Sequence, residues 1–424
     1  MLLVALPRPR MAAQQLSAAD REELVARLWS EARYNFAGWD RVRANWDSAL
    51  GATLRAAAQP QSDFAFWRRS RRLTALLGDL QTTVVPPPAL RSRVARPPLA
   101  LVSVEDRPFL VDYAENDEMR VARPERLAEI IAVQGVRAED WIRDSILPEI
   151  GGATPAARWE RAVTDMLQGE RGTSLHLTLR LPGGEDRGVS VTRTVSLNDR
   201  WPFDHSAMSI DTLPDGVVVV RLMSLGTNEL VEQFDRVFAS FAGVRRLIVD
   251  LRQGVGGRES NAYDLLARLT PQPFLGVMQR TTIYRPAVPL VGHPEPAISW
   301  QVFPADSVMP RRNRPVYKGP IAVLSSAATL GAPEDFLAAF RNTGRGVIIG
   351  ATSAGSPGEA LELPLVKDWM LRLSAVTEAF PDGTDFSGAG VAPELPVPAR
   401  VDDLLAGRDA ALERARGYLA AQRD

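Results

Sequence analysis

The sequence predicts a multidomain α/β protein with three parts: a helical N-terminal region, a small β-rich module and an α/β core. The length of 424 residues exceeds what one compact core usually holds. Between about Pro98 and Thr194, short segments alternate apolar and polar residues, which is typical of half-exposed strands. From Asp204 onward, fully apolar strands alternate with helical segments, which indicates a sheet buried on both faces.

The N-terminal region, residues 1–95, is predicted to be helical and to end in a proline-rich linker. The segment "ELVARLWSEARYNF" places Leu24, Leu28, Ala32 and Tyr34 near one face of a helix. Tryptophans recur in this region, and we expect them to pack in its core. The segment "VVPPPALRSRVARPP" is expected to be extended, because residues before proline avoid the helical conformation.

The β-rich module, residues 96–198, is predicted from five short strand patterns and one helix: "LALVSVE", "FLVDY", "AEIIAVQG", "SLHLTLRL", "GVSVTRTV" and "TPAARWERAVTDMLQG". Thr154 is expected to cap that helix, since proline follows it at the first helical position. The core, residues 199–424, is predicted from the apolar strands and their intervening helices. Within it, residues 279–314 are rich in proline, and we expect a long loop or arm there.

Composition narrows the possible functions. The net charge of −1 gives no reason to expect nucleic acid as a partner. The chain has no cysteine, two lysines and three histidines, so few side chains could transfer protons near neutral pH. The histidines form no spaced cluster, and we expect neither a metal nor a cofactor. No apolar run could span a bilayer. Without a secretory signal at its start, the chain is expected to be cytoplasmic, or periplasmic or exported if its N-terminus is incomplete.

Several motifs follow one another in a recognisable order: "LLGDLQTTVVPP", "LIVDLRQGVGG", "TLGAPEDF", "IIGATSAGSPG", "SGAGVAPELPV" and "GRDAALERA". In this order the chain resembles the tail-specific, or C-terminal processing, serine peptidases. The resemblance is strongest to their tricorn-core and retinoid-binding-protein-like branch, and it covers nearly the whole chain. It implies a Clp-protease/crotonase-like core, a PDZ-like module at residues 96–198 and a helical N-terminal region.

The resemblance also assigns roles to individual positions. It places Gly331 where the family has its nucleophilic serine, and Gln81 where one branch has a histidine base. Ser356 stands where another branch has a lysine base, and Ser387 where the family has the acid that orients the base. Glycine has no side chain and glutamine does not titrate, so we expect this catalytic set to be degenerate.

One part of the family's pattern is kept in the backbone. Gly256 and Gly257 match the glycines whose N–H groups stabilise an oxyanion in the family. Asp250 and Arg252 precede them, and their simpler interpretation is that they anchor the turn after a strand.

The leading functional hypothesis is a pseudopeptidase that binds peptide or protein C-termini without cutting them. A peptide could add as a strand to an edge of the module's sheet. The candidate edge strand is "RPFLVDY", with Phe109, Leu110 and Val111 as the expected peptide-binding residues. The sequence leaves the substrate or partner and the oligomeric state open.

Two alternatives from other classes remain open. The chain could be a serine peptidase that uses replacement residues, such as Ser356 or His205. It could instead be a non-proteolytic enzyme on the same scaffold, in which Gly256 and Gly257 stabilise an enolate. Glu334 or Asp335 would then act as the base, although acidic residues in a first helical turn are more simply explained by the helix dipole.

Overall fold

The computed structural model describes residues 15–203, 206–238, 243–292, 297–310, 314 and 316–422. The helices are α1 (Ala18–Asn35), α2 (Trp46–Ala57), α3 (Asp63–Ala75), α4 (Pro88–Arg91), α5 (Asp117–Ala122), α6 (Ala138–Trp141), α7 (Pro155–Asp165), α8 (Asn228–Phe238), α9 (Glu259–Leu266), α10 (Ala287–Leu290), α11 (Ala332–Thr343), α12 (Val401–Leu405) and α13 (Ala410–Ala421). A π-helical turn (Ile142–Ile146) and a 3-10 turn (Leu147–Glu149) follow α6. None of the described helices is long and apolar enough to cross a membrane.

The strands of the first half are β1 (Thr83–Val85), β2 (Val94–Arg96), β3 (Leu99–Val104), β4 (Arg107–Tyr113), β5 (Ala128–Val133), β6 (Val136–Arg137), β7 (Gly169–Glu170), β8 (Ser174–Arg180), β9 (Asp186–Thr192) and β10 (Val195–Ser196). Those of the second half are β11 (Met208–Thr212), β12 (Val218–Leu222), β13 (Leu247–Asp250), β14 (Phe274–Leu275), β15 (Met278–Tyr284), β16 (Ile298–Phe303), β17 (Ser307–Val308), β18 (Ile321–Ser325), β19 (Gly346–Gly350), β20 (Leu361–Pro364), β21 (Met370–Leu373), β22 (Thr377–Ala379) and β23 (Leu395–Pro396).

The N-terminal helices α1, α2 and α3 pack around one apolar cluster. Ser17 caps α1 in a reciprocal pair with Asp20. Leu24 and Leu28 are fully buried, as the sequence predicts. Tyr34 is 54% exposed, so its predicted place on the buried face is wrong. It lies in the last turn of α1, where its ring contacts that of Tyr284 in β15 instead.

The proline-rich segment after α3 is not a free linker, as the sequence suggested. β1 pairs antiparallel with β21 of the core, and β2 pairs with β7 and β10. Prolines at the ends of these short strands leave the ladder bonds intact. The pairing of β1 fixes Gln81, two residues earlier, against the core.

The β-rich module is built on a sheet with strand order β3-β4-β5-β8-β9, and α7 packs along β3. Thr154 caps α7 through its side chain, as predicted. The predicted edge strand, however, is wrong: β4 lies between β3 and β5. Phe109 and Leu110 are buried, and Val111 is half-buried. An alternating pattern shows which residues face a core, but it does not show the order of strands in a sheet. The predicted domain boundaries at residues 95/96 and 198/199 stay a prediction.

The core is a six-stranded sheet with the order β11-β12-β13-β18-β19-β23. The strands β12, β13, β18, β19 and β23 run parallel to one another, and β11 pairs antiparallel with β12 at the edge. One face packs against α8, α9 and α11, and the other packs against α13. Alternate residues of β18 point to the two faces, which explains why the whole strand is apolar.

The predicted arm contains regular structure. β15 and β16 form an antiparallel ladder, in which Gln279 pairs with Phe303 at one end and Tyr284 pairs with Ile298 at the other. The expectation of a loop throughout this region is therefore wrong. Threonines, isoleucines and aromatic residues favour strands in spite of the nearby prolines. β15 also pairs with β22, and this places Gln279 opposite Glu378.

Candidate functional site

The turn between β18 and α11 carries the predicted nucleophile position. Gly331 is the residue before α11, with backbone angles φ 73° and ψ −138°. Its N–H donates to the carbonyl oxygen of Ser356 at 3.2 Å and to Oε2 of Glu334 at 3.3 Å. Gly331 therefore begins the helix in a left-handed backbone conformation that favours glycine. It offers no hydroxyl for attack on a carbonyl.

The predicted oxyanion glycines lie beside this turn. A Cβ atom at Gly331 would stand 3.1 Å from the Cα atom of Gly256. The N–H of Gly256 donates to the carbonyl oxygen of Leu330 at 2.9 Å, while the N–H of Gly257 has no hydrogen-bond partner among the described residues. An oxyanion site needs two convergent donors, and here one of the two candidates is already bonded.

Gln81 bonds to the loop that covers Gly331. Its Nε2 lies 2.9 Å from the carbonyl oxygen of Ser356, 3.1 Å from that of Pro357 and 3.1 Å from that of Gly358. The same Gly358 oxygen would be 3.4 Å from a Cβ atom at Gly331. The two predicted catalytic positions thus meet at one carbonyl group, although Gln81 can only donate to it and cannot accept a proton.

The two predicted serine positions are engaged elsewhere. Ser356 Oγ accepts the N–H of Leu80 at 3.2 Å, and its side chain is buried. Ser387 Oγ accepts the N–H of Glu378 at 2.6 Å. The side chain that contacts Gln81 is that of Arg372 on β21, which donates to Oε1 at 3.1 Å. Sequence reasoning missed Arg372, because its position depends on the pairing of β21 with β1.

The structure describes one of the three histidines. His205 and His293 lie outside the described residues. His176 lies on β8, exposed beside Ser190. Within the described ranges, no three histidine, aspartate or glutamate side chains form a group that could hold a metal ion.

Glu334, in the first turn of α11, is fully buried and accepts four hydrogen bonds. Ser353 Oγ and the Gly355 N–H donate to Oε1, at 2.6 and 2.7 Å. The N–H groups of Ser356 and Gly331 donate to Oε2, at 3.0 and 3.3 Å. Burial raises the pKa of Glu334 to about 8, against the opposing effect of these donors. Its carboxyl group therefore joins the Gly331 turn to the following loop, a role that the helix-dipole interpretation missed.

Asp335 and Glu378 form a second buried acidic pair on the other side of that loop. The N–H of Gly358 donates to Asp335 Oδ1 at 3.3 Å. Gln279 Nε2 lies 3.2 Å from Glu378 Oε1 and 3.1 Å from Glu259 Oε2. Burial raises the pKa of Asp335 well above its usual range, and it raises that of Glu378 to about 7. No sequence motif pointed to Glu378, which lies within the short strand β22.

Asp250 and Arg252 anchor the turn after β13, as predicted. Arg252 donates to both carboxyl oxygens of Asp250 and to both of Asp409, at the start of α13. A cavity of about 320 Å³ adjoins this pair at the carboxyl ends of β18 and β19, and Val104 of the module forms one side of it. Parallel sheets commonly bind ligands at this end.

We expect Gly331→Ser to lower the free energy of unfolding by about 1–3 kcal/mol, because a side chain is strained at φ 73° and meets the Cα atom of Gly256. Denaturant unfolding of purified variants measures the loss. Gly183→Ser is the matched control, since Gly183 lies in a turn with open space around it and without a positive φ. Equal stability of the two variants would contradict this account of the Gly331 turn.

A parallel sheet covered on both faces, with a strand–turn–helix at Gly331, is the α/β scaffold that carries this site. Gly331 at the turn, Gln81 from the N-terminal region and the backbone of Gly256 lie together on this scaffold.

The model of peptidase family S41 matches residues 216–397. Over this part, which lies in the α/β core and is less than half of the chain, the sequence is similar to the S41 serine peptidases. Among curated proteins, no sequence matches the chain.

Solved structures share the fold over almost the whole chain. Mature CPAF in complex with lactacystin is 14% identical with a TM-score of 0.73, over 95% of this chain and 98% of that one. The photosystem II D1 C-terminal processing protease is 18% identical with a TM-score of 0.51, over 92% and 98%. The tricorn protease is 14% identical with a TM-score of 0.50, over 95% of this chain and 37% of its own. The tail-specific protease fold is thereby established, with the predicted fold class.

Proposed function

We propose that this chain is a catalytically inactive S41 homologue that binds peptide or protein C-termini without cleaving them. The observation that carries the proposal is the bonding of Gln81. At the position of the family's base, an amide that cannot titrate donates to three carbonyl groups of the loop over Gly331. With glycine at the nucleophile position, neither half of the serine–base pair is available, and acyl-enzyme formation has no route there.

Peptide binding rests on the fold and on one edge of the module. The photosystem II relative is a C-terminal processing protease, and this scaffold would present a chain end in the same way. β3 pairs with β4 alone and ends its sheet, so its outer edge can accept a strand. α7 packs against β3, and Trp159 Nε1 donates to the carbonyl oxygen of Asp106 in the turn after that strand. We therefore propose that a peptide pairs with β3, and not with Phe109–Val111 on β4.

Labelling with a fluorophosphonate probe, together with a casein cleavage assay, tests the loss of chemistry. We expect the purified chain neither to label nor to cleave, because Gly331 offers no hydroxyl and Gln81 cannot accept a proton. The variant for comparison in both assays is Gly331→Ser/Gln81→His, which restores the family's residue types at the two positions. A labelled wild-type chain would contradict the proposal, and mass spectrometry of the adduct would then identify the replacement nucleophile, with Ser356 and His205 as the residues to examine.

Binding is tested separately, with a library of fluorescent peptides that differ at their C-terminal residues. We expect binding that survives Gly331→Ser and is lost in a chain with Leu101→Pro, because proline on β3 removes an N–H and disturbs the edge. Val136→Pro, on the exposed short strand β6, is the control for the substitution itself. An absence of binding by any peptide would leave the fold assignment standing but would overturn the binding function.

A further inference from the structure

The loop from Ser356 to Gly358 closes the candidate site, and acidic groups hold it on two sides. Its carbonyl groups face Gln81. Its N–H groups face α11, since Ser356 donates to Glu334 and Gly358 donates to Asp335. Every residue of the loop is buried in this arrangement. Access to Gly331 from this side therefore requires the loop to move.

Asp335 and Glu378 are neighbours beside that loop, and each raises or lowers the pKa of the other. Two carboxyl groups can bond only when one of them carries a proton. Both side chains are fully buried, and neither Oδ2 of Asp335 nor Oε2 of Glu378 has a hydrogen-bond partner among the described residues, so a proton held between the two carboxyl groups would satisfy both oxygens. A Cβ atom at Gly358 would lie 2.8 Å from Glu378 Oε1, so the pair is in direct contact with the loop.

The surroundings of the pair contain no positive charge to replace the proton. From α11, Glu334 adds a third buried carboxyl group. From α9, Glu259 and Tyr263 approach, and from β15 comes the neutral amide of Gln279. Within the described ranges, none of these acidic groups forms an ion pair. Two carboxylates in one buried site repel each other strongly, so ionisation of both is unfavourable while the loop stays closed.

We propose that the proton shared by Asp335 and Glu378 is a latch that holds the 356–358 loop closed over Gly331, and that its loss opens the site. Opening lets water reach the two carboxylates and separates them from Gly358, which relieves their repulsion. The same movement exposes the turn at Gly331 and the N–H of Gly257. The latch goes beyond the proposed function, since it determines when the site opens and not which molecule enters.

Hydrogen exchange of the full chain, followed by mass spectrometry at pH 6 and pH 9, tests the latch. After correction for intrinsic exchange, we expect protection at residues 356–358 to fall at least about tenfold in the wild type, since each pH unit above the pKa of the pair raises the open fraction up to tenfold. In Asp335→Asn/Glu378→Gln, which keeps the shapes of both side chains without a titrating proton, protection should change less than about twofold. A matching fall in both proteins, or no fall in the wild type, overturns the proposal.

Hydrogen exchange in a segment far from the pair distinguishes local opening of the loop from unfolding of the whole protein. β8 belongs to the module's sheet and contacts none of these acidic groups. Its protection should be equal at both pH values, and a parallel loss there would overturn the latch in favour of general destabilisation. Asp335→Asn alone is the second variant, because its amide still donates to Glu378, and it repeats the test if the double variant does not fold.

A thiol probe gives an independent readout. The chain contains no cysteine, so Ser356→Cys introduces a unique thiol in the buried loop. At pH 9, we expect N-ethylmaleimide to label this thiol at least about tenfold faster with the native pair than with Asp335→Asn. Comparison at one pH cancels the titration of the thiol, and equal labelling rates would contradict the latch.

Discussion

Glu334→Ala is expected to lower the free energy of unfolding by about 4 kcal/mol or more, and we expect this to be the largest loss from any single substitution near the site. Glu334 accepts four hydrogen bonds in a fully buried position. Without its carboxyl group, three N–H groups and the Ser353 hydroxyl lose that acceptor, and an unsatisfied buried donor costs about 1–3 kcal/mol. The gain from no longer burying a carboxyl group offsets part of this sum.

Urea unfolding followed by tryptophan fluorescence measures the change. Glu229→Ala is the matched control, since Glu229 also lies in the first turn of a helix but is exposed. We expect that substitution to change stability by less than about 0.5 kcal/mol. If Glu334→Ala were equally mild, the carboxyl group would not be what joins the Gly331 turn to the following loop.

The second large effect is a loss of stability as the pH rises. The carboxyl groups of Asp335 and Glu378 ionise near pH 4 in the unfolded chain, whereas burial raises the pKa of Glu378 to about 7 in the folded one. Between these values the folded state binds more protons, so the free energy of unfolding falls by about 1.4 kcal/mol per pH unit for each proton held. One proton kept from pH 5 to pH 7 gives a loss of about 3 kcal/mol.

The comparison between wild type and Asp335→Asn/Glu378→Gln isolates this contribution. The exposed ion pairs are common to both proteins, so their titration cancels in the difference. Glu334 interacts with both carboxyl groups of the pair, so the comparison measures the three buried groups together. We expect the stability of the wild type to fall relative to the variant from pH 5 to pH 7, while the difference is constant below pH 4. Parallel curves over the whole range would show that the pair holds no proton in the folded state.

Regular elements with a strong local signal could be predicted from the sequence. The apolar strand "IAVLS" and the helix begun by Gly331 both follow from short patterns of residues, as does the cap at Thr154. Each depends on neighbours within a few positions, where periodicity and capping chemistry act. The motif order then indicated which parts of the chain would meet, and the contacts of Gln81 and Gly331 with one carbonyl group agree with that alignment.

Features that depend on distant pairing could not be predicted. The sequence pattern of "RPFLVDY" fits an edge strand and an inner strand equally well, and the structure has it inside the sheet. Likewise, Glu378 becomes part of the site only because β22 pairs with β15. Arg372 reaches Gln81 only through the pairing of β21 with β1. In each case the deciding contact joins residues far apart in the chain, and no local pattern records it.

The contact between Gln81 and its loop also bears on how the chain is made. The donor and its first acceptor are separated by 275 residues. At ribosomal rates of about 5–20 residues per second, Gln81 emerges on the order of 15–55 s before its partners exist. During that interval β1 has no strand to pair with, and the apolar residues around it are open to chaperones and to neighbouring nascent chains. The N-terminal region thus depends for its final structure on the last third of the chain to be translated.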